Sequence, residues 1–582
     1  MRWIISEGGN DARRLASELG VSMLAARVLV ARGYGDPANA QNFLAPATSD
    51  LHDPFLLTGM PQAAERLARA VRNRESILLY GDYDVDGTSA LVILKTIVDL
   101  AGGSAACHVP HRILDGYGMK SEVVEEAAQR GVTLIVSVDT GIRANDVVRH
   151  ASALGIDVIV TDHHLPEAEL PPALAVLNPN RPDCPYPEKN LCGASVALKL
   201  AAALMATLGW DGARRERLLE SLMKLAAIAT VADVVPLTGE NRVIVKRGLE
   251  GLRSVRNAGL RALLDVAGFA EGAAPSARQV AFQIAPRINA AGRMASAHDV
   301  VELFTTTDVD RARAIAAQLH DLNADRQQTE AEIMRAILEQ CEAQPVTDRD
   351  AALVFAAEGW HRGVVGIVAS RIVERFQRPA FVLGIDEGVA HGSGRSIRAF
   401  HLLEALEAMP EMFTKFGGHR QAAGVTLAAE RVEEFRERFR AYASERLTPA
   451  DFEASLEIDA EVALHEVDDD TVAHVLNLAP FGFGNPPPTF MVRGLEVAAS
   501  PDVIKDKHLF VRFRSTENGA GGRFLRTKAW NSAQRAGEFS RGACVDVAVQ
   551  FEEDAYSAAR GYAPWQAILK DARPAEARMA AR

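Results

Sequence analysis

Between residues 62 and 180 the chain alternates between two hydrophobic patterns. Amphipathic stretches with apolar residues three and four positions apart predict helices, and short apolar runs between them predict strands. These runs have the sequences SILLYGD, AACHVP, VTLIVSVDTG, IDVIVTDHH and LAVLNPN. Apolar strands that alternate with helices of this length indicate a parallel sheet covered by helices on both faces. We therefore predict an α/β fold for this part of the chain.

The pattern changes several times along the rest of the chain. Residues 1–60 show only helical periodicity, and we expect a helical cap there. Residues 308–341 keep one apolar stripe on a charged helix, as expected of a helix that connects two domains. A second α/β unit and then a small β-barrel of short alternating strands are predicted to follow. The predicted domains are 1–60 (helical cap), 61–305 (parallel-sheet domain), 306–345 (connecting helix), 346–450 (smaller α/β domain) and 451–575 (barrel).

The composition limits the class of protein. Of 582 residues, 48% are apolar and 24% are charged, which is ordinary for a chain with several packed cores. No apolar run reaches the roughly 18 residues that a membrane-spanning helix needs. Five widely spaced cysteines favour reduced thiols, so we expect a cytoplasmic protein without a membrane segment. A net charge of −12 does not exclude an enzyme that binds nucleic acid through a local basic groove.

Three aspartates alternate in the segment YGDYDVDG, where an apolar strand meets a helix. If the segment is extended, Asp82, Asp84 and Asp86 point the same way and their carboxylates converge. Converging carboxylates repel one another unless a cation neutralises them. The alternative is a solvated Asp-Gly turn, and this segment alone does not distinguish the two.

Two further predicted strands end in acidic or imidazole side chains. Asp139 ends one of them, and Asp162, His163 and His164 end the other. In an open parallel sheet, ligands bind beside the strand ends where the strand order reverses, so we expect these groups to meet there. Asp233, in the apolar helical stretch ATVADVVPL, can join them from one side. Taken alone, it is more typical of a helix cap or a buried partner.

The types of side chain restrict the metal that such a site would bind. Carboxylate oxygens and imidazoles without a nearby cysteine pair favour Mn²⁺ or Mg²⁺ over structural zinc, and histidine shifts the balance toward Mn²⁺. So many acidic groups can hold two ions, as in phosphatases and nucleases. One ion would lower the pKa of a bound water, and both would stabilise the oxygens of an in-line displacement at phosphorus.

In this order, the motifs DYDVDG, DTG and DHH resemble the DHH phosphoesterase superfamily, and within it the RecJ family of single-strand-specific 5′→3′ DNA exonucleases. The segments PRINAAGR, WHRGVVGIVA and SGRS support the resemblance, GGHRQAAG is similar to the associated DHHA1 domain, and PFGFGNPPPTF resembles the start of the family's OB domain. The resemblance covers nearly the whole chain. It implies a parallel-sheet DHH domain, a long helix, a smaller α/β DHHA1 domain and a C-terminal OB-like β-barrel.

The resemblance also implies an activity, which is Mn²⁺- or Mg²⁺-dependent release of 5′-mononucleotides from single-stranded DNA in repair and recombination. It implies a monomer that works with a single-strand-binding protein and a recombination helicase. Tyr80 stands where smaller members of the superfamily often have His, so the role of this position stays open. We expect catalysis to involve Asp84, Asp139, His163 and His164. The implied metal ligands are Asp82, Asp84, Asp86, Asp139, His163, His164 and Asp233.

A phosphodiesterase also needs cations that hold the phosphates of its substrate, and arginine matches phosphate oxygens in bidentate fashion. One arginine, Arg112, follows a predicted strand at a position that resembles a phosphate contact of the family. Two others flank a predicted small-residue loop, INAAG, and the segment SGRS is predicted to be a Gly-flanked turn suited to a phosphate nest. The predicted substrate-binding residues are Arg112, Arg287, Arg293, Ser393, Arg395 and His419.

The predicted barrel carries a local excess of basic residues. Residues 503–541 contain nine Lys or Arg and three acidic residues, and aromatic residues are interleaved with the basic ones. Such alternation along strands suits contact with a phosphate backbone together with base stacking. Because strands have a period of two, half of these aromatics are expected to belong to the barrel core. The predicted DNA-binding residues are Lys505, Lys507, Phe510, Arg512, Arg514, Arg526 and Trp530.

Two other functions compete with the exonuclease. A small-substrate phosphodiesterase of the same superfamily, acting on oligonucleotides or cyclic dinucleotides, needs the two α/β domains but not a basic barrel. A non-catalytic DNA-binding scaffold of this fold should have lost metal ligands, yet all seven candidate positions hold Asp or His. We therefore predict a metal-dependent exonuclease that acts on single-stranded DNA.

Overall fold

The computed structural model describes residues 1–6, 11–112, 114–116, 118–515 and 523–575. The chain divides into two compact units. One unit contains Asp53–Asp233 and Gly248–Ala454, and the other contains Met1–His52, Val234–Arg247 and Ser455–Arg582. The predicted boundary after residue 60 and the continuous domain 61–305 differ from this division, because the N-terminal helices and a short internal segment pack with the barrel.

The N-terminal segment contributes to the hydrophobic core of the barrel unit. Its elements are β1 (Arg2–Ile5), α1 (Ala12–Leu19), α2 (Met23–Ala31) and α3 (Pro37–Leu44). Ser22 and Asp36 cap α2 and α3 by accepting backbone hydrogen bonds. Phe43 is buried in one cluster with barrel residues. The segment is not purely helical, because the apolar Arg2–Ile5 forms a strand that pairs in parallel with Ser455–Ile458.

The first α/β domain is built around a five-stranded sheet. Its elements are α4 (Met60–Asn73), β2 (Ser76–Tyr80), α5 (Val85–Leu100), β3 (Ser104–His108), α6 (Ser121–Gln129), β4 (Val132–Val138), α7 (Asn145–Ala153), β5 (Asp157–Thr161), β6 (Ala175–Leu177), α8 (Gly193–Thr207) and α9 (Gly212–Ala232). All neighbouring strands are parallel, in the order β3-β2-β4-β5-β6, which confirms the predicted fold class. The strand order reverses at β2, which lies between β3 and β4. This reversal creates the crevice where ligands bind in such sheets.

Further helices follow this sheet in the chain. They are α10 (Gly239–Gly251), α11 (Ala258–Val266), α12 (Ala277–Gln279), α13 (Ala285–Met294), α14 (His298–Thr305) and α15 (Val309–Ala343). The segment INAAG lies inside α13, so the predicted loop was wrong, because alanine strongly favours a helix. Its glycine still permits close approach, since a Cβ on Gly292 would lie 2.6 Å from the carbonyl oxygen of Tyr83. The long charged helix appears as predicted, with Ile315 and Leu319 buried on its apolar stripe.

The second α/β domain has a mixed five-stranded sheet. Its elements are β7 (Leu353–Glu358), α16 (Val365–Phe376), β8 (Ala380–Asp386), β9 (Val389–Arg395), α17 (Leu402–Glu407), β10 (Lys415–Gly418), β11 (Ala422–Ala428) and α18 (Val432–Ser444). The strand order is β10-β11-β9-β8-β7, with only β7 and β8 parallel. The segment SGRS belongs to β9 for three of its residues and is not a turn. Its Gly394 is there for packing, because a Cβ would lie 2.5 Å from the ring of Phe381.

The C-terminal part of the described chain is a β-barrel. Its elements are β12 (Ser455–Ile458), β13 (Ala460–Glu461), α19 (Asp469–Leu476), β14 (Thr489–Val497), β15 (Asp502–Ile504), β16 (His508–Ser515), β17 (Phe524–Ala529), β18 (Cys544–Glu553), α20 (Ala555–Ala558) and β19 (Trp565–Pro574). Five strands follow one another in the order β14-β18-β19-β17-β16, and β16 pairs with β14 again. This closure confirms the predicted OB-like barrel.

Candidate metal centre and nucleic-acid interface

The segment YGDYDVDG forms the turn from β2 into α5. Asp84 caps α5, because its carboxylate accepts hydrogen bonds from the N–H groups of Asp86 (2.9 Å) and Gly87 (3.0 Å). A Cβ on Gly87 would lie 2.6 Å from the backbone nitrogen of Asp82, so the fold of this turn requires glycine. Asp82 and Asp86 are both buried. The three carboxylates therefore leave a strand-to-helix turn and not an extended segment.

The side chains that follow β4 and β5 complete an acidic cluster. Asp139, directly after β4, is buried and has a left-handed backbone with φ 58°. His163 Nε2 lies 3.2 Å from Asp139 Oδ1. The same nitrogen lies 3.7 Å from a carboxylate oxygen of Asp86 and 3.7 Å from one of Asp233. His163 therefore lies between aspartates that come from three different parts of the chain.

The buried carboxylate of Asp162 orients both histidines. It accepts hydrogen bonds from the N–H groups of Ile142 (3.0 Å), His163 (2.7 Å) and His164 (3.1 Å). His164 Nδ1 donates to it at 2.7 Å, and this bond leaves Nε2 as the ring nitrogen that can bind a metal. Burial raises the pKa of Asp162, but the hydrogen bond and charge of His164 outweigh burial and hold the pKa below its ordinary value. Asp162 thus stays ionised and fixes the turn.

Two asparagines that the sequence did not single out hold the same turn from the end of the next strand, β6. Asn178 Nδ2 donates to the carbonyl oxygen of His164 at 2.8 Å, and Asn180 Nδ2 donates to that of His163 at 2.6 Å. The N–H of Asn180 donates to Asn178 Oδ1 at 2.7 Å, which locks the pair. Their signal in the sequence was the polar NPN at the end of the predicted strand LAVLNPN, at the same edge of the sheet.

The N-terminus of α8 approaches two of the aspartates. The N–H groups of Gly193 and Ala194 donate to the carboxylate of Asp86 at 2.6 and 2.7 Å, where the helix dipole favours negative charge. A Cβ on Gly193 would lie 2.6 Å from the Cβ of Asp139, so glycine allows this approach. Asp233 caps the C-terminal end of α9, which is one of the two roles that the sequence makes typical of such a residue taken alone.

The donor atoms fall into three overlapping groups, and within each group they lie within 4.8 Å of one another. Shared members join the groups into one cluster, which we call the acidic centre. Its oxygen donors and imidazoles fit Mn²⁺ or Mg²⁺. Asp82 Oδ1 is buried without a hydrogen-bond partner among the described residues, as expected of an oxygen that binds a cation. The groups are Asp82, Asp84 and Asp139; Asp139, His163 and His164; and Asp86, His163 and Asp233.

The carboxylates of the acidic centre disfavour one another's charged form. Burial and then the charge of Asp84 raise the pKa of Asp82 to about 8. Burial and the charge of Asp86 also raise the pKa values of Asp84, Asp139 and Asp233. A bound cation would remove this repulsion, so the electrostatics and the donor set both favour a metal.

Three arginines, which we call the cationic group, lie beside the acidic centre in the same compact unit. Arg112 is close enough to Asp82 to oppose the rise in its pKa, and its guanidinium lies 4.7 Å from the ring centroid of Tyr83. Burial, together with the charges of Arg112 and Arg395, lowers the pKa of Arg293 to about 9. Half-buried guanidinium groups that repel one another favour a bound anion.

Two further predicted substrate residues adjoin the cationic group. A Cβ on Gly366, in the first turn of α16, would lie 3.3 Å from both Ser393 Oγ and Arg395 Nη2. His419 lies within electrostatic reach of Arg395 and His164, because burial and then these charges lower its pKa. A helix N-terminus, a hydroxyl and a guanidinium are groups that bind phosphate, and here they meet.

Arg287 has different neighbours from the other predicted substrate residues. Its Nε donates to His320 Nδ1 at 3.2 Å, and its Nη1 donates to the carbonyl oxygen of Gln283. The first of these bonds ties α13 to α15. Arg293, on another side of α13, donates to the carbonyl oxygen of Gly363 at 2.9 Å. The structure therefore brings Arg293 to the cationic group, but no recorded contact among the described residues brings Arg287 there.

The barrel carries the predicted basic and aromatic side chains on two paired strands. On β16 and β17, alternate residues such as Leu509, Phe513 and Leu525 are buried in the barrel core. The side chains between them form the opposite surface, so the predicted period of two is confirmed. We call this surface the barrel face, and across the strand pair its members are Phe510 and Lys528, Arg512 and Arg526, and Arg514 and Phe524.

The barrel face places like charges opposite each other. Arg512 and Arg526 are exposed, directly paired across the strands, and form no ion pair with any described residue. Such a pair is unfavourable unless an anion neutralises it. Arg514 instead donates to Glu496 at 2.6 Å. Near one end, Trp530 is 45% exposed, and the predicted Lys505 and Lys507 are exposed between β15 and β16.

Comparison with known proteins identifies the three parts of this arrangement. Residues 76–230 match the DHH family N-terminal domain, residues 350–445 match the DHHA1 domain, and residues 458–571 match the RecJ OB domain. The single-stranded-DNA-specific exonuclease RecJ of Bacillus subtilis (strain 168) is 41% identical over 509 residues, which are 87% of this chain. The chain spans 63% of that protein's length.

The chain covers a larger share of the length of other relatives. The single-stranded-DNA-specific exonuclease RecJ of Dickeya dadantii (strain 3937) is 41% identical over 455 residues, 76% of this chain and 79% of that protein. The crystal structure of RecJ from Thermus thermophilus with Mn²⁺ has a TM-score of 0.82 and 31% identity, covering 99% of this chain and 80% of that one. The Mg²⁺ complex of the same protein has a TM-score of 0.77 and 29% identity, covering 99% and 79%.

Among the described helices, none combines the length and the hydropathy of a membrane span.

Without metal, the protein is expected to lose stability as pH rises. Folding raises the pKa of Asp82 from 3.8 to about 8, so between these values the folded protein binds more protons than the unfolded chain, and rising pH favours unfolding. The melting temperature in EDTA should therefore fall from about pH 5 to about pH 8, and Mn²⁺ should remove most of this slope.

A substitution separates this effect from general alkaline destabilisation. In EDTA at about pH 8, Asp82→Asn should melt higher than the unsubstituted protein, because it removes one buried charge. Asp348→Asn, at a fully exposed aspartate, serves as the matched control and should not. A melting temperature in EDTA that is the same at both pH values would contradict the prediction.

Proposed function

Because the chain belongs to the RecJ family of the DHH superfamily, we propose that it is a metal-dependent exonuclease that degrades single-stranded DNA from the 5′ end to 5′-mononucleotides. The observation that carries the proposal is the contiguity of the acidic centre and the cationic group. One supplies ligands for Mn²⁺ or Mg²⁺, and the other supplies partners for substrate phosphates. A phosphodiester bond held between them would lie beside both kinds of group that its hydrolysis needs.

The proposed ligands would hold two ions, Mn²⁺ or Mg²⁺. Asp82, Asp84 and Asp139 would hold one, and Asp86, His163 and Asp233 would hold the other, with His164 joining Asp139. When bound, such ions lower the pKa of water and neutralise charge that develops on the phosphate oxygens. The residues themselves orient the site. Asp84 is fixed by the N-terminus of α5 and Asp86 by that of α8, and Asp162 holds the backbone of His163 and the ring of His164.

The cationic group would hold the 5′-terminal nucleotide. Arg112 and Arg395 would bind its phosphate, with Ser393 and the N-terminus of α16 as neutral donors. His419, close enough to sense the charges of Arg395 and His164, would lie between the phosphate and the acidic centre. Anchoring the strand end in this way would set the distance at which the chain is cut, and so the size of the product.

The barrel would hold the rest of a long strand. The barrel face combines exposed cations with exposed rings, which suits contact with a phosphate backbone and stacking of bases. This feature favours the exonuclease over a phosphodiesterase for oligonucleotides or cyclic dinucleotides, which would not need it. Lys505, Lys507, Phe510, Arg512, Arg514, Arg526 and Trp530 remain the proposed DNA-binding residues.

We infer a cytoplasmic monomer that acts in DNA repair and recombination, together with a single-strand-binding protein and a recombination helicase. The five cysteines support a reducing compartment, since all of them are free thiols in the structure.

Removing a proposed ligand is expected to abolish hydrolysis. Asp139→Asn and His163→Ala should each lower the rate on single-stranded DNA by at least about a hundredfold, because a lost ligand removes several kcal/mol of stabilisation. Mn²⁺ affinity, measured by calorimetry, should fall in parallel, while Asp348→Asn should match the unsubstituted protein in both measurements. Turnover of His163→Ala at the unsubstituted rate would refute the proposed site.

End recognition is expected to depend on Arg395. Arg395→Ala should slow digestion of strands with a 5′-phosphate by roughly tenfold to a hundredfold, the effect of losing a charged hydrogen-bonded contact. Strands with a 5′-hydroxyl should be slowed less. Arg335→Ala, at an exposed arginine of α15, is the charge-matched control. Equal slowing on both kinds of end would make Arg395 a general backbone contact.

Long-strand binding is expected to depend on the opposed arginines of the barrel face. Arg512→Gln with Arg526→Gln should weaken binding of a long oligothymidylate in EDTA. The slope of the logarithm of the binding constant against the logarithm of salt concentration should become less steep by about 1.4, or about 0.7 for each lost phosphate contact. The control, Arg13→Gln with Arg335→Gln, removes two exposed charges elsewhere. If both double variants keep the original salt slope, the barrel face does not contact DNA.

A further inference from the structure

The apolar stripe of the long helix α15 is interrupted in its middle. Leu319 and Ile333 are buried on the stripe, and the positions between them, three or four residues apart on the same face, hold Asn323, Arg326 and Glu330. We call these three residues the polar stretch. Asn323 is 4% exposed, and the side chains of Arg326 and Glu330 are 11% and 14% exposed. Burying polar and charged groups costs free energy, so packing alone does not account for them.

The polar stretch forms one network that reaches the next helix. Arg326 Nη2 donates to Asn323 Oδ1 at 2.7 Å, and its Nη1 donates to a carboxylate oxygen of Glu330 at 2.9 Å. The other carboxylate oxygen of Glu330 accepts a hydrogen bond from Arg371 Nε, on α16, at 3.3 Å. Arg326 therefore fixes the carboxylate of Glu330, and that carboxylate joins α15 to α16.

The start of α16 is held by a separate contact. Arg293 Nη1 donates to the carbonyl oxygen of Gly363, just before the helix, at 2.9 Å. The approach is close, because a Cβ on Gly363 would lie 2.5 Å from the carbonyl oxygen of Arg293. In the first turn of α16, a Cβ on Gly366 would lie 3.3 Å from both Ser393 Oγ and Arg395 Nη2. The position of α16 therefore sets where its N-terminus can meet a phosphate.

Arg326 also lies near the cationic group. The pKa of Arg293 is lowered to about 9 by burial and then by neighbouring charges, one of which is that of Arg326. The two guanidinium groups repel each other, and the carboxylate of Glu330 offsets the charge of Arg326 and so lowers the cost of this approach. The polar stretch thus connects the middle of α15 to the surroundings of the phosphate-binding groups.

We propose that the polar stretch is a positioning network for recognition of the 5′-terminal phosphate. Arg326 holds Glu330, and Glu330 holds α16 through Arg371. The N-terminus of α16 is thereby kept beside Ser393 and Arg395, where the phosphate would bind. Arg326 contacts no substrate and acts through these groups. The inference rests on the proposed exonuclease function and deepens it, because it names the residues that place the phosphate-binding helix.

The first test substitutes Arg326 and measures digestion of strands with two kinds of 5′ end. Arg326→Met keeps the length of the side chain but removes both hydrogen bonds. It should slow digestion of strands with a 5′-phosphate by about tenfold or more, the effect of displacing a group that positions the substrate. Strands with a 5′-hydroxyl should be slowed less, because they lack the phosphate that α16 receives. Arg326→Lys keeps a donor and should recover part of the rate.

The control is Arg335→Met, at an exposed arginine of the same helix, which should change neither rate. Mn²⁺ affinity, measured by calorimetry, should stay the same in every variant, because the polar stretch contains no member of the acidic centre. Equal slowing on both kinds of end would make the polar stretch a general structural element and overturn the assignment.

A triple variant separates positioning from stability. Asn323→Leu with Arg326→Met and Glu330→Leu continues the apolar stripe, and replacing a buried ion pair by apolar side chains is often neutral or stabilising. The melting temperature should therefore equal or exceed that of the unsubstituted protein, while the preference for phosphorylated 5′ ends should be lost. A triple variant that keeps this preference would contradict the proposal.

A double-mutant cycle tests whether Arg326 acts through α16. Arg371→Met removes the contact of α16 with Glu330 and should lower the preference for phosphorylated ends in the same way. Adding it to Arg326→Met should cost little more, because both substitutions break one network. Effects that multiply would mean that the two arginines act independently and would overturn the network. Digestion of the 5′-hydroxyl strand by the unsubstituted protein with Mn²⁺ is run in parallel, and its failure would remove the proposed function itself, whatever these variants do.

Discussion

Mutual repulsion among buried carboxylates is the constraint on which the rest of the acidic centre depends. Asp82, Asp84 and Asp139 lie together, and burial and the charges of neighbouring carboxylates raise the pKa of each of them. Backbone hydrogen bonds stabilise part of this negative charge. The N-termini of α5 and α8 each direct two N–H groups at a carboxylate. Glycine at positions 87 and 193 is what allows the backbone to come so close. What these donors leave uncompensated is the charge that a divalent cation would neutralise.

The sheet topology explains why these groups meet although they are distant in sequence. A parallel sheet directs the ends of β2, β4 and β5 to one edge, and the reversal of strand order at β2 leaves a crevice there. Apolar strands followed directly by Asp or His were therefore enough to predict most of the acidic centre. The barrel face was predictable for a similar reason, because a period of two assigns Phe513 to the core once Phe510 and Arg512 are placed outside.

Other features depend on contacts that no local pattern records. Glycines near Ser393 predicted a turn, yet β9 pairs on both sides and its glycines make room for the ring of Phe381 and its neighbours. The small residues before Arg293 predicted a loop, yet they form a helix whose Gly292 meets the backbone of Tyr83. In both places glycine allows two elements to pack closely. A single sequence does not distinguish a glycine of this kind from one that the chain needs in order to turn. The strand Arg2–Ile5 was missed because its partner lies some 450 residues away.

The net negative charge of the chain and its proposed anionic substrate are reconciled by the arrangement of charge within one unit. The acidic centre holds more negative charge than its surroundings favour, and the cationic group beside it holds more positive charge. None of Arg112, Arg293 and Arg395 forms an ion pair with a carboxylate among the described residues. Arg293 and Arg395 donate to carbonyl oxygens instead. The two adjoining clusters therefore form no ion pairs with each other among the described residues. The acidic centre lacks a cation, and the cationic group lacks an anion. A cation would complete the first and a phosphate the second, and each would make the other easier to bind, because the metal removes the repulsion that the substrate would otherwise meet.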